Sequence, residues 1–259
     1  MATIHYGTED NPRRMHIQVR EGEIGEYVIL PGDPARCDVI ASYFDHPVLV
    51  AQNREHKTYT GIYRGVRVSV TSTGMGCPSA AIAAEELCQC GAKVLLRLGG
   101  CVPLKPGMKP GDLSITLPAM KNEGTSRFFV PDALPAVADL DLAAALIENA
   151  RRILKDTGYT AHAGVTASND AFYGETAEFV ERMRGYGIIG MEMEASAILT
   201  VCHCRGVRGG AICACGSNSD SPEAAKLRTD TTSRQIQAAL DAFVTLEQKK
   251  QTKSLFLSE

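Results

Sequence analysis

No stretch of this chain is apolar for long enough to cross a membrane, and Met1 to Asn11 contains no apolar region of the kind that directs secretion. A basic block is also missing. With 27 lysines and arginines against 30 acidic residues, the net charge is −3, which excludes the electrostatic footprint of a nucleic-acid or anionic-membrane binder. There is no internal repeat, no low-complexity linker and no shift of composition that would mark a domain boundary. Cysteine is plentiful, at nine, but metal-site spacing is not: the cysteines include three C-x-C pairs (Cys88/Cys90, Cys202/Cys204, Cys213/Cys215) and no C-x-x-C pair. They read as small packed hydrophobes in a reducing compartment, with no metal site.

What remains is a 259-residue chain, 44% hydrophobic, able to bury a full α/β core. The expectation is a cytoplasmic protein with one domain over 1–259. Its core lies at about 15–247, and the tail 248–259 is expected to be partly disordered. Apolar runs predict strands at 27–30, 48–51, 61–63, 66–72, 93–98, 112–118, 162–167, 187–191 and 209–215. Helical spacing predicts helices at 34–43, 78–90, 140–156, 176–185, 193–205 and 230–247. Residues 121–136 read as a long loop.

Val28-Ile-Leu-Pro-Gly-Asp-Pro-Ala-Arg36 carries the most information. An apolar strand stops at a Pro/Gly loop where Gly32 permits close backbone approach, and Arg36 follows at a helix start. Backbone N–H groups there, with a guanidinium, suit an oxyanion such as phosphate; the alternative is a simple tight turn. Lys93-Val-Leu-Leu-Arg97-Leu-Gly99-Gly100 repeats the arrangement. In open α/β sheets ligands sit beyond the strand C-termini, so Arg36 and Arg97 on one edge would suit a dianion. A structural ion pair is the other reading of Arg97.

Gly190-Met191-Glu192-Met193-Glu194-Ala195-Ser196 places two carboxylates at a strand-to-helix junction. Ionised carboxylates accept from sugar hydroxyls, and Met193 offers an adaptable apolar surface. Two solvated glutamates favouring a helix dipole would look the same. Thr71-Ser-Thr-Gly-Met75-Gly-Cys-Pro-Ser79 is a third strand-to-helix turn, and Ala167-Ser-Asn169-Asp-Ala-Phe172-Tyr173 ends a strand with an aromatic pair. Phe172 either stacks on a flat heterocycle or packs in the core.

The order of these segments (PGDPAR, NREHKTYTG, STGMGCPS, LRLGG, PAVADLD, ASNDAFY, EMEAS) resembles the trimer- or hexamer-forming nucleoside phosphorylases over roughly residues 15–247. That family includes uridine phosphorylase and bacterial purine nucleoside phosphorylase; the N-terminal half is most similar to uridine phosphorylase. The resemblance implies one α/β domain with a central mixed, partly barrel-like sheet flanked by helices. It implies attack of phosphate on a nucleoside, uridine in the first instance and a purine nucleoside as the alternative, releasing base and (deoxy)ribose 1-phosphate. A nucleosidase or a non-catalytic nucleoside-binding protein is the further alternative.

By the same resemblance, phosphate is held by Gly32, Arg36, Arg97, Gly99 and Gly100, with Arg54 from a neighbouring subunit. Ribose is held by Met75, Glu192, Met193 and Glu194, with His16 reaching across a dimer interface. The base meets Asn169, Phe172, Met191 and Ser217. Arg97, Glu194 and Asp220 carry the catalysis. Phosphate is the co-substrate; no metal or organic cofactor is implied. The partners are small molecules and further copies of the chain, with a dimer as the minimal unit within a possible hexamer.

Three positions depart from the family. Gly100 stands where a Ser or Thr hydroxyl meets phosphate. The glutamine and arginine with which the pyrimidine branch reads uracil are missing from Tyr173-Gly-Glu-Thr-Ala-Glu178. Ser217 occupies the place of the purine branch's aspartic acid, with Asp220 three residues on.

Overall fold

The structure is a computed structural model that describes residues 10–216 and 221–256. Its first strand, β1 (Tyr27–Pro31), is buried along its whole length, as a strand covered on both faces must be. Tyr27 and Ile29 point into one apolar cluster and Val28 and Leu30 into another, which is the period-two alternation of a strand. Parallel neighbours flank it: β4 (Val66–Thr71) on one side and β5 (Val94–Pro103) on the other. Beyond β4 the wing continues antiparallel through β3 (His56–Tyr63) to β2 (Asp45–Asn53).

On the far side of β5 the sheet closes on itself. β10 (Arg208–Cys215) runs parallel to β5 and antiparallel to β6 (Leu113–Asn122). β6 pairs with β8 (Ala161–Asn169), β8 with the short β9 (Gly190–Glu192), and β9 returns antiparallel to β5. The ring β5–β10–β6–β8–β9 is the barrel-like part of the mixed sheet. A two-residue strand, β7 (Ala136–Val137), lies on β6.

Among the described residues, six α-helices cover this frame. α3 (Leu140–Leu154) and α6 (Pro222–Phe256) pack together over one face, with Leu142, Leu146, Leu240 and Phe243 in the larger cluster. α2 (Cys77–Gln89) and α5 (Ala195–Arg205) cover the other, through Ala80, Leu87, Ile198 and Val201. α1 (Pro34–Ala41) and α4 (Ala177–Gly185) are short connectors.

The structure differs from the sequence reading in several places. β5 runs past the predicted end at 98 to Pro103, so Gly99 and Gly100 lie within it. The strand predicted at 187–191 is only Gly190–Glu192. The stretch read as a loop at 121–136 begins inside β6, makes a 3-10 turn at Ser126–Phe128 and ends in β7. α6 begins at Pro222, where the Ser221 hydroxyl accepts from the Ala224 N–H (3.2 Å) as a helix cap. It then continues to Phe256, into the segment expected to be a disordered tail, and Lys250 pairs with Glu26 (2.9 Å) along it. Among the described residues no helix is long and apolar enough to cross a membrane.

Candidate active site

β1 and β5 lie side by side, with Leu30 opposite Arg97, so both strands deliver their C-terminal loops to one edge. The Pro31-Gly32 loop is laced to the loop after β4: the Thr73 N–H donates to Pro31 O (2.8 Å) and the Gly74 N–H to Gly32 O (3.0 Å). A Cβ at Gly32 would stand 3.2 Å from Gly74 O, and Gly74 itself holds φ +71°. Both glycines are therefore needed for this approach. A cavity of about 630 Å³ opens at the junction, lined by Gly32, Arg36, Glu55, Met75, Arg97, Gly99, Gly100 and Glu194 among others. Seven residues read from sequence as phosphate- or ribose-binding thus meet in one place.

Arg97 is the centre of the site and is 4% exposed. Its Nε donates to Glu192 Oε2 (2.5 Å), and its terminal nitrogen pairs with Glu194. Burial by itself would lower the guanidinium's pKa, but the two carboxylates, Glu194 ahead of Glu192, more than reverse that and hold it charged. Gly99 makes room for this fold of the side chain, because a Cβ there would sit 2.6 Å from the guanidinium. Arg36 has no such support. Burial, and then repulsion from Arg97, push its pKa below the ordinary arginine value. Two guanidiniums facing one cavity, one of them electrostatically undercompensated, form a site for an anion.

Glu194 joins the two halves of the site. It pairs with Arg97 and accepts the Gly76 N–H at the start of α2 (2.7 Å). Met193 is half-buried beside it, and Met75 stands 85% exposed on the rim. Glu192 departs from expectation. Its carboxylate is fully buried and spent on Arg97, on the Ser168 hydroxyl, and on the N–H groups of Glu194 and Ala195 (2.8 and 2.9 Å). It caps α5 and aims Arg97; no oxygen is left for a sugar.

Other expected residues lie elsewhere. Met191 is buried in a small cluster with Leu104, Ala167, Met183 and Ile188, so it packs rather than reads a base. Asn169 is 2% exposed, its Oδ1 accepting from Asn122 Nδ2 (2.8 Å) and its Nδ2 donating to Glu175 Oε1 (3.0 Å). Phe172 is 56% exposed and meets the Tyr173 ring edge-on at 5.2 Å. Ser217 and Asp220 lie outside the described residues.

Arg54 and His16 do not reach the cavity. Arg54 is exposed at the tip of the β2–β3 hairpin, with φ +53°. His16 faces a second groove of about 660 Å³, where its Nδ1 meets Glu86 Oε1 (2.7 Å). Asn53, the residue before Arg54, donates from Nδ2 to His16 O (2.7 Å), so the β2–β3 tip and the His16 segment are neighbours.

Sequence reasoning overlooked Glu55, Ser79, Ser168 and Gly76. Ser79 bonds Glu55 Oε1 (2.8 Å) within the cavity wall. Its place at a helix start was the available signal; the role of Ser168 emerges only from the pairing of β8 with β9. Among the described residues, Cys77, Glu123 and Asp170 bring potential metal-ligating atoms within 4.8 Å of one another. Each is already engaged: Cys77 with Met193 O (3.1 Å), Glu123 with the Ser126 N–H (3.0 Å) and Ser196, and Asp170 with the Gly124 N–H (2.8 Å). The facing strand pair also brings Cys101 and Cys215 together, Sγ to Sγ 3.9 Å.

Residues 26–245 match the family described as the Phosphorylase superfamily. Over 246 residues the chain is 39% identical to the guanosine phosphorylase of Halorubrum lacusprofundi, a match spanning 90% of this chain and 99% of that protein. It is 41% identical over 224 residues to the uridine phosphorylase of Thermococcus kodakarensis, covering 82% and 79%. The crystal structure of uridine phosphorylase from Vibrio fischeri, complexed with 6-hydroxy-1-naphthoic acid, superposes with a TM-score of 0.82. That match has 30% sequence identity and covers 92% of this chain and 97% of the other.

Proposed function

The chain belongs to the phosphorylase superfamily, and from that premise we propose that it cleaves a nucleoside by phosphorolysis, in the manner of a uridine phosphorylase, to free base and (deoxy)ribose 1-phosphate. The observation that carries this reading is the convergence of Arg36 and Arg97 on one cavity beside Glu194. Arg36, Arg97 and the Gly32 loop hold the phosphate dianion. Glu194 accepts from a ribose hydroxyl, with Met193 and Met75 against the sugar. As the glycosidic bond breaks, the sugar becomes cation-like. The held dianion stabilises it from one face and is already aligned to bond to the anomeric carbon, while the electron pair leaves with the base. Glu192 acts through Arg97 as a positioning residue. In this scheme phosphate is a co-substrate, and neither a metal nor an organic cofactor takes part.

The site proposed is shared between copies of the chain. His16 and the β2–β3 tip that carries Arg54 are neighbours through Asn53, neither His16 nor Arg54 lines the cavity of its own protomer, and a two-fold partner would present them together. A dimer is then the minimal active assembly, whether alone or within a hexamer. Nine free thiols accord with a cytoplasmic setting.

The uridine phosphorylase relatives favour uridine as substrate. A purine is the second reading, favoured by a carboxylate, Glu175, following the aromatic pair and by the guanosine phosphorylase relative. Release of free base from uridine, thymidine, inosine, guanosine and adenosine, with and without phosphate, tests the reaction. Cleavage that stops without phosphate is expected. Cleavage that continues identifies a nucleosidase, and none under either condition identifies a binding protein.

Gly100 supplies a second test. A Cβ there would meet nothing nearer than Ala214 O at 3.9 Å, so a serine fits without displacing backbone. Gly100→Ser adds a hydroxyl donor to a charged ligand, a contact of about 1.5–3 kcal/mol. The KM for phosphate should fall by roughly tenfold or more, with kcat little changed. An unchanged phosphate KM with the fold intact would place phosphate away from β5.

A further inference from the structure

We infer that Gln235 is a positioning residue for the phosphate: it fixes the Gly99–Gly100 peptide so that the Gly100 N–H points into the anion cavity. The inference rests on the phosphorolysis reading and deepens it. Gln235 lies on α6, 0% exposed, on the face that carries Ala238 and Ala239 into the larger apolar cluster. Its Nε2 donates to two carbonyls on different strands, Gly99 O of β5 and Ile212 O of β10, each at 2.8 Å. The amide is thus inserted at the seam between these strands, where Cys213 stands opposite Gly99. Its Oε1 is buried and, among the described residues, has no hydrogen-bond partner. An orphaned buried oxygen lowers stability, and leucine or methionine would fill the same place without one. The gain that offsets this lies at the two carbonyls.

Gly99 and Gly100 have no side chains to restrain the backbone, so the peptide between them turns easily unless it is held. Gln235 holds its carbonyl on the β10 side. The peptide is trans, so the Gly100 N–H points the opposite way. On that side β5 is paired with β1, but only as far as Pro31 opposite Leu98. Gly100 lies beyond that point and is exposed, whereas Gly99 is buried. Past the end of β1 the Gly32 loop turns away and the cavity of Arg36 and Arg97 opens, with Gly100 in its wall. Gly100 has no hydroxyl to offer, so this N–H is the donor that β5 contributes at that position. A donor aimed in advance needs no reorganisation when the dianion binds. Gln235 itself is absent from the cavity lining and acts through the peptide it holds.

The test compares the wild-type protein with Gln235→Met and Gln235→Glu. Inorganic phosphate is titrated by calorimetry, and phosphorolysis is followed on the nucleoside that the wild type cleaves. Methionine keeps the volume and removes the amide. In Gln235→Met the Kd and KM for phosphate should rise by roughly tenfold, the value of one hydrogen bond to a charged group, with the nucleoside KM unchanged. A buried glutamic acid stays protonated and donates to one carbonyl, so Gln235→Glu should fall between methionine and wild type. A packing role predicts the reverse order, because methionine suits an apolar surrounding better than a carboxylic acid does. A folded Gln235→Met that binds phosphate as the wild type does, or a rise in both KM values together, overturns the inference while phosphorolysis stands. If Gln235→Met does not fold, an unchanged phosphate Kd in Gln235→Glu overturns it and a raised one supports it. Absence of phosphate-dependent cleavage with any nucleoside refutes the reading beneath, and the calorimetric comparison still decides the role of Gln235.

Discussion

Arg97→Met should abolish phosphorolysis, with kcat reduced by at least the 10²–10³-fold that loss of one preorganised electrostatic contact costs. The expected loss is larger than that, because Arg97 serves two purposes. It is one of two guanidiniums on the anion cavity, and it is the counter-ion of both Glu192 and Glu194. Methionine fills the aliphatic volume but leaves two buried carboxylates without a cation. Breaking a buried pair on one side costs about 3–5 kcal/mol, so a lower thermal midpoint is expected alongside the activity loss. Thermal unfolding and circular dichroism of the variant separate the two effects. A folded Arg97→Met protein with near-normal turnover would place phosphate somewhere other than the end of β5.

Equal amounts of Arg54→Ala and Glu194→Ala, each inactive alone, should regain activity when mixed under conditions of subunit exchange. Neither the exposed position of Arg54 at the β2–β3 tip nor the groove holding His16 belongs to the cavity of the same protomer. In a hybrid dimer the Arg54→Ala protomer keeps its own Glu194 and borrows Arg54 from its partner. One of its two sites is therefore whole. Random pairing makes half the dimers hybrids, so about a quarter of wild-type activity is expected from the two-fold arrangement. Exchange is verified independently by mixing differently tagged chains. Proven exchange without recovered activity would mean that each protomer completes its own site.

In sequence the Tyr173–Glu178 segment shows what is missing, a glutamine and an arginine; that Asn169 Nδ2 holds Glu175 Oε1 is visible only in the structure. Similar limits apply across the site. Leu-Arg97-Leu in an apolar strand had to be paired, because burying an unpaired charge is too costly; sequence could establish that need. The partners, Glu192 at the end of β9 and Glu194 at the start of α5, lie almost a hundred residues away in the chain. The pairing of β9 with β5 and β8 decided which of the two carboxylates is spent on Arg97, Ser168 and the α5 cap.

Sequence alone determined the α/β class, the strand end and helix start that carry Gly32 and Arg36, the apolar strand that carries Arg97, and the family resemblance. All of these follow from short-range grammar: apolar runs, turn residues and charges at fixed offsets. Tertiary structure decided that Met191 is core, that Asn169 is a brace, and that the His16 segment lies against Asn53 beside Arg54, with neither His16 nor Arg54 lining the cavity of its own protomer. Those outcomes depend on how the sheet closes between β5 and β10 and on which strands become neighbours. Pairing of residues far apart in the chain leaves no local trace in the order of residues, because it is set by how the whole core packs.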